Sequence, residues 1–293
     1  MKLHLHRFQL ETKTPFKLSR VTYNVRELLV VELEEDGFSG FGEASDHSFY
    51  DVKIEEIWEV LENLKPIIEA YEFDTPEQFW EEMNSYLKDH SFAQCALDVA
   101  AHDLFGKKMG KPLYELWGLK LENLPITDYT VGIDTPEKMV EKMRAKPWSV
   151  YKIKLGVPED LEIMKALRAA TDVPFRIDAN CGWTVKEAIE KSVELKKLGV
   201  EFIEQPLRGG EFDEMKDVYE KSALPVFADE SCVSESDVKK CVGRFHGINI
   251  KLTKCGGITP ARRMIEHARS LNMKVMAGCM TESSVGISAV CQI

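Results

Sequence analysis

Tyr151-Lys-Ile-Lys-Leu-Gly156 reads as a short β-strand that breaks at a glycine. A strand's period of two puts Lys152 and Lys154 on one face, with their ammonium groups about 6–7 Å apart. Like charges this close repel. A fold tolerates them only on a solvated face or opposite a cluster of negative charge, and the residues downstream point to the second case.

Acidic residues close one apolar run after another. Phe175-Arg-Ile-Asp178 ends in a carboxylate with Asn180 two positions on, Val200-Glu-Phe-Ile-Glu204 ends in a second, and Val226-Phe-Ala-Asp229 in a third, followed by Glu230. Gly247-Ile-Asn-Ile-Lys251 ends in another lysine. From Lys154 to Asp178, Glu204, Asp229 and Lys251 the steps are 24, 26, 25 and 22 residues, the length of a βα unit. Polar residues at the carboxyl ends of successive barrel strands read as catalytic. Three carboxylates converging there make a hard-cation site, and oxygen-only ligands favour magnesium or manganese over zinc. A cation flanked by two lysines suits removal of a proton from carbon next to a carboxylate.

With 293 residues, 44% hydrophobic and 30% charged, the chain has core enough for one large or two modest domains. A net charge of -11 argues against nucleic-acid binding. Seven scattered cysteines without a C-x-x-C indicate reduced thiols and no zinc module. Met1-Lys-Leu-His-Leu-His-Arg7 lacks the apolar core of a signal peptide, and no run of about 18 uncharged apolar residues occurs. The expectation is a cytoplasmic protein acting on a small molecule, without nucleic-acid or membrane partners and with room for a homo-oligomer.

Residues 1–43 alternate like an antiparallel sheet: Leu3–Leu10, Glu27–Leu33, a turn at Glu34-Glu-Asp-Gly37, and a return over Gly40–Ala44. Thr14–Tyr23 reads as a long polar loop. Residues 51–118 are helical, with a stripe at Ile54, Ile57, Trp58, Val60 and Leu61 and a Ser91-x-x-Gln94 capping box opening a later run. This gives an α+β domain over 1–120.

From about residue 121 strands and helices alternate. Asp128–Ile133 is a strand, and Thr135 caps a helix with Pro136 at its first position. The Lys154, Asp178, Glu204, Asp229 and Lys251 strands follow, with helices over 159–170, from the Thr184-Val-Lys-Glu187 capping box, over 213–221, from Ser234, and from Thr259 as cap with Pro260 next. Lys274–Cys279 is the last strand. Seven βα repeats predict a parallel barrel over 121–293. A closed barrel has eight strands, and Ala289–Ile293 reads as lying inside a helix, so residues beyond 293 are expected.

The K-x-K at 152–154, D-x-N at 178–180, Glu204-Gln-Pro206, Ala228-Asp-Glu-Ser231 and Asn249-Ile-Lys-Leu-Thr-Lys-Cys-Gly-Gly257 resemble, in order, the motifs of the enolase superfamily in its muconate-lactonizing-enzyme branch. The resemblance covers essentially the whole chain and implies a capping domain followed by a modified TIM (β/α)7β-type barrel. Thr127–Ile133 and Gly278–Ser283 look most like dipeptide epimerases of the L-Ala-D/L-Glu type, enzymes associated with peptidoglycan recycling. It implies one magnesium ion per subunit, replaceable by manganese, on Asp178, Glu204 and Asp229. It implies that Lys154 and Lys251 move a proton to and from the α-carbon on opposite faces through a stabilised enediolate. Lys152 would hold the substrate carboxylate and lower the proton affinity of Lys154. Arg20 would meet the distal carboxylate, with Thr130, Met280 and Thr281 lining the pocket. The family's eighth-strand Asp-x-Asp, which receives the dipeptide ammonium, has no counterpart in these residues.

Each assignment has a plainer alternative. A single Asp at a βα turn is often a helix N-cap, though three in step with two lysines are not. Lys152 could be an ion-pair partner. Lys254 competes with Lys251, but strand parity places Asn249 and Lys251 on one face and Lys254 in the loop. Arg26 rivals Arg20. Glu230 is read as supporting the ligands from behind, no histidine is assigned chemistry, and the methionines and cysteines over 276–280 are read as packing. The same site could instead serve o-succinylbenzoate synthesis or muconate cycloisomerisation. A non-catalytic scaffold is disfavoured because all five charged groups are in place.

Overall fold

The computed structural model describes residues 1–17 and 22–293. Strands β1 (Lys2–Lys17), β2 (Thr22–Glu35) and β3 (Phe38–Ser45) form an antiparallel meander. Asp36 and Gly37 turn the second corner with φ of 53° and 81°, and glycine takes such a φ without steric cost. The polar stretch at 14–23, expected to be a loop, is strand at its described residues, 14–17 and 22–23: past a break in register after Glu11, Phe16 pairs with Tyr23 and Lys17 with Thr22. Polar composition reports exposure, and backbone pairing is indifferent to it. Residue 20 lies outside the described residues.

One face of this sheet buries Leu3, Leu29, Val31 and Leu33 against helices α1 (Ile54–Ala70), α2 (Pro76–Leu87) and α3 (Ser91–Lys108), and the one-turn helix α4 (Leu113–Leu116) follows. The seam between β3 and α3 leaves no space for side chains at two positions. A Cβ on Gly42 would lie 1.9 Å from the Ala96 carbonyl oxygen, and one on Gly40 2.2 Å from that of Ala100. Gly42→Ala is therefore expected to destabilise the fold by about 2–4 kcal/mol, since backbone on both sides must part. Urea denaturation measures this; a change below about 0.5 kcal/mol, the level of a neutral surface substitution, would show that the seam yields freely.

The capping box expected at Ser91 does not form. His90 is the N-cap, and buried Gln94 instead donates to the Trp80 carbonyl at 3.4 Å, tying α3 to α2. Tertiary packing outranks a local capping preference here.

The second sheet is parallel, and its strands alternate with helices: β4 (Tyr129–Val131), α5 (Pro136–Ala145), β5 (Tyr151–Lys154), α6 (Asp160–Ala170), β6 (Phe175–Asp178), α7 (Val185–Lys197), β7 (Val200–Glu204), α8 (Phe212–Lys221), β8 (Val226–Ala228), α9 (Glu235–Val238) and β9 (Gly247–Lys251). Then come α10 (Leu252–Cys255), α11 (Ile258–Ser270), β10 (Lys274–Gly278) and α12 (Ser284–Val290). The strands lie in sequence order from β4 to β10, as seven successive βα repeats require. The capping signals at Thr135 and Thr184 operate as read, and the helix expected from Ser234 is the single-turn α9.

Three expectations fail in this half. Thr259 is not the cap of α11: the helix starts at Ile258 behind Gly257, and Thr259 donates its N–H and hydroxyl to Asp98 of α3 at 2.9 and 2.8 Å. A carboxylate from another element thus caps the helix, which no local pattern announces. Lys254 sits in the unanticipated helix α10 rather than a loop. α12 ends at Val290, so residues 291–293 follow the helix instead of lying inside it. Two apolar clusters fill the interior, one between the antiparallel sheet and α1–α3, the other around the parallel sheet. Among the described residues no helix is long and apolar enough to cross a membrane.

Candidate active site

The register of the parallel sheet builds the site. Lys154 pairs with Asp178 and Asp178 with Glu204, so three charged strand ends stand in one row. Glu204 pairs with Phe227, which puts Asp229 just past the end of β8. All three carboxylates are buried, and one oxygen from each lies within 4.8 Å of the others.

Three carboxylates this close repel, and lysines compensate. Lys152 Nζ lies 3.1 Å from Asp178 Oδ2 and 2.6 Å from Glu204 Oε2. Lys154 Nζ donates to Asp178 Oδ2 at 2.6 Å, and Lys251 Nζ to Asp229 Oδ2 at 2.6 Å. Asn249 donates to Glu204 Oε1 at 2.8 Å. Glu204 Oε2 is fully buried and, ion pair aside, accepts no well-aligned hydrogen bond.

The titration behaviour follows. Burial pushes Asp178 up, but Lys152 and Lys154 more than offset it and hold the carboxyl below its usual range. Burial likewise opposes ionisation of Asp229, and Lys251 and Lys254 overcome it. Glu204, buried and beside Asp178, is pushed up to about 7. Burial lowers Lys152 and Lys251, yet Asp178 and Glu204 for the first and Asp229 and Glu204 for the second raise both above the ordinary lysine value.

The donor set fits a hard divalent cation. It is all oxygen, converged and buried, with ammonium groups on oxygens that a metal would claim. No histidine or cysteine belongs to the set, which disfavours zinc.

A cavity of ≈ 760 Å³ opens over these groups, lined by Lys152, Lys154 and Lys251 and by Thr130, Met280 and Thr281. Every expected pocket residue that the structure describes therefore reaches it, while Arg20 lies outside the described residues. Arg26, its rival, also lines the cavity, is buried, and donates through Nη2 to the Asp46 carbonyl. Glu230 lines the cavity too; burial and the neighbouring Asp229 push it up to about 7. Sequence reading missed His47, Phe49 and Tyr50, which reach the cavity from the short helical turn after β3. Burial and the Arg26 charge hold His47 down to about 4. Nothing in the sequence marks this segment, because its relevance depends on where the first sheet docks.

That docking is anchored at the cavity's rim. Buried Glu43 of β3 accepts from Ser283 N at 2.8 Å, from the Ser283 hydroxyl, and from Gly286 N at 3.2 Å. It thereby satisfies the N-terminus of α12 and fixes the loop bearing Met280 and Thr281. Glu43→Ala is expected to cost about 1–3 kcal/mol through lost capping and unsatisfied donors. Thermal unfolding checks this; an unchanged midpoint would mean that water replaces the carboxylate. A second cavity of ≈ 720 Å³ between β3, α3 and α12 has only Asp103, Lys107 and Lys111 as charged lining, and Lys107 is paired with Asp103.

Comparison with known proteins agrees with this geometry. Residues 135–293 match the family described as enolase C-terminal domain-like, and residues 3–118 match the mandelate racemase / muconate lactonizing enzyme N-terminal domain. An L-Ala-D/L-amino acid epimerase of Flavobacterium johnsoniae is 52% identical over 100% of this chain and 87% of its own length. The substrate-liganded L-Ala-D/L-Glu epimerase of Bacillus subtilis superposes with a TM-score of 0.94 at 28% identity, covering 100% of this chain and 86% of its own. A Cytophaga hutchinsonii dipeptide epimerase complexed with Mg and D-Ala-L-Val gives 0.91 at 27% identity, covering 99% and 82%. Motif order, the strand-end charges and both halves of the fold agree, and the chain belongs to the enolase superfamily, in its mandelate racemase / muconate lactonizing enzyme group.

Proposed function

We propose that this chain is an isomerase, a magnesium-dependent dipeptide epimerase that inverts an α-carbon by moving its proton from one face to the other. The observation that carries this reading is the order of charges across the sheet: Lys154 on β5 and Lys251 on β9 flank the three strands that bring Asp178, Glu204 and Asp229. Two amines on opposite sides of an acidic centre are what a 1,1-proton transfer needs.

In this reading Asp178, Glu204 and Asp229 hold magnesium, or manganese in its place. When bound, the cation stabilises the negative charge that develops on the substrate carboxylate as the α-proton leaves. One of Lys154 and Lys251 accepts that proton at Nζ, and the other gives an Nζ proton to the opposite face, so the carbon inverts with no net change in composition. The accepting lysine must first be neutral. Its carboxylate partners favour the charged form, so their engagement elsewhere releases it. Lys152, between Asp178 and Glu204, orients the substrate carboxylate. Thr130, Met280 and Thr281 shape the cavity around the dipeptide; Arg20 keeps the distal carboxylate by family resemblance alone. The same reading divides the chain at about residue 120 into capping domain and barrel. It places the enzyme in the cytoplasm, supported by seven scattered cysteines without a C-x-x-C. Its placement in peptidoglycan recycling rests on the resemblance.

Named relatives support epimerisation over elimination or cycloisomerisation, since they are epimerases of L-Ala-D/L-amino acids, of L-Ala-D/L-Glu and of hydrophobic dipeptides. Proton NMR of L-Ala-L-Glu and a panel of dipeptides, with protein and magnesium in deuterium oxide, tests the proposal. Loss of the α-proton signal with growth of the D-epimer is expected. Metal binding without exchange in any dipeptide would overturn it in favour of o-succinylbenzoate synthesis or cycloisomerisation.

A further inference from the structure

Lys251 and Lys254 end on the two oxygens of a single carboxylate: Lys251 Nζ donates to Asp229 Oδ2 at 2.6 Å, and Lys254 Nζ to Oδ1 at 2.7 Å. Their surroundings differ. Lys251 lines the cavity, whereas the side chain of Lys254 is 1% exposed and does not. Its ammonium also reaches three backbone carbonyls, those of Asp229 at 2.6 Å, Cys232 at 3.0 Å and Asn249 at 3.0 Å. A lysine has three N–H donors and here meets four acceptors, so no donor remains for a substrate.

The acceptors belong to the end of β8, the turn after it and β9. The one-turn helix α10 carries Lys254 back to them. Beyond it Gly256 and Gly257, with φ of 94° and 125°, lead into α11. That corner is held by Trp80, whose indole N–H donates to the Gly256 carbonyl at 2.9 Å, and a Cβ on Gly257 would stand 2.2 Å from Asp98 Oδ2. Lys254 therefore has a fixed origin as well as fixed partners.

We propose that Lys254 is a positioning residue for Asp229. It keeps Oδ1 occupied whether or not a cation is present, leaves Oδ2 as the one oxygen Asp229 offers to the metal, and ties that oxygen into register with Asp178 and Glu204. Lys251, on the oxygen the metal takes, is left to serve the cavity. This rests on the reading of Asp229 as a metal ligand. It differs in sign from a simple charge effect: deleting an ammonium beside a cation site strengthens cation binding through space, whereas deleting a positioning residue weakens it.

Two measurements test this, each with magnesium alone as the probe. In a crystal structure of the native chain loaded with magnesium, Asp229 is expected to bind through Oδ2 only, with Lys254 still on Oδ1; Asp229 chelating through both oxygens would overturn the proposal. Calorimetric titration of Lys254→Met is expected to show magnesium bound about 10–100-fold more weakly than by the native chain. Lys251→Met, which removes the same charge from the same carboxylate, is expected to bind magnesium at least as tightly as native. Unchanged or tighter binding by Lys254→Met would overturn the positioning role even if its melting point falls. Should Lys254→Met not fold, the crystal structure decides alone. Failure of the native chain to bind magnesium would overturn the ligand reading itself, a different result from any of these.

Discussion

Lys154→Ala is expected to abolish solvent-deuterium exchange at the α-carbon starting from one epimer of the dipeptide while sparing exchange from the other, and to lower epimerisation by about 10²–10⁴-fold, the range of a lost general base. Lys251→Ala is expected to do the same with the epimers reversed. The asymmetry follows from the sheet order, which sets these lysines two strands apart from the central Glu204 on either side. Each exchanges only the proton on its own face, and inversion needs both. Single-turnover NMR in deuterium oxide with each pure epimer makes the measurement. Equal loss from both epimers in either variant would mean that one base serves both faces. Lys154 is not needed to hold Asp178 in place, because Lys152 also pairs with that carboxylate at 3.1 Å, so the variant should fold.

Glu204→Gln is expected to weaken magnesium binding by at least about 10²-fold, since even residues that only support metal ligands cost 10–100-fold when lost. It is a cleaner probe than Asp229→Asn, which would also disturb the Lys254 contacts. Metal-free stability should change as well, and its sign is set by burial. The folded-state pKa of Glu204 is raised to about 7 from an ordinary value of 4.5. Its contribution is therefore full below about pH 4.5 and is lost as pH rises through about 7. Gln does not titrate, so the stability of the variant relative to the native chain should climb across that window and level off above it. Urea denaturation in the presence of a chelator at several pH values reads this directly. A difference independent of pH would show that Glu204 titrates normally, and unimpaired magnesium binding would remove it from the ligand set.

Much of the site was legible before any coordinate. A charge at the end of each apolar run, repeated at the length of a βα unit, dictates both the parallel sheet and the convergence of Lys154, Asp178, Glu204, Asp229 and Lys251. Strand parity and register then leave little freedom: once Lys154 pairs with Asp178 and Asp178 with Glu204, the row is made. Local capping signals at Thr135 and Thr184 were equally readable, because a hydroxyl and the N–H groups it accepts from are neighbours in the chain.

The two capping expectations that failed share one physical cause, competition from partners distant in sequence. Ser91-x-x-Gln94 forms no box because Gln94 finds Trp80, and Thr259 is no cap because Asp98 of α3 satisfies that helix end. His47, Phe49 and Tyr50 became cavity residues only through the docking of the first sheet, which Glu43 secures on α12. Strand parity picked Lys251 over Lys254 for the site, but the contacts that occupy Lys254 were beyond the sequence. Lys251 ends β9 and Lys254 follows three residues later in α10, and only the fold buries Lys254 among four acceptors and leaves Lys251 at the cavity. The order and spacing of residues determined which charges meet. Tertiary structure decided which of them are free to act, because burial and hydrogen-bond saturation are properties of the packed chain and not of any stretch of it.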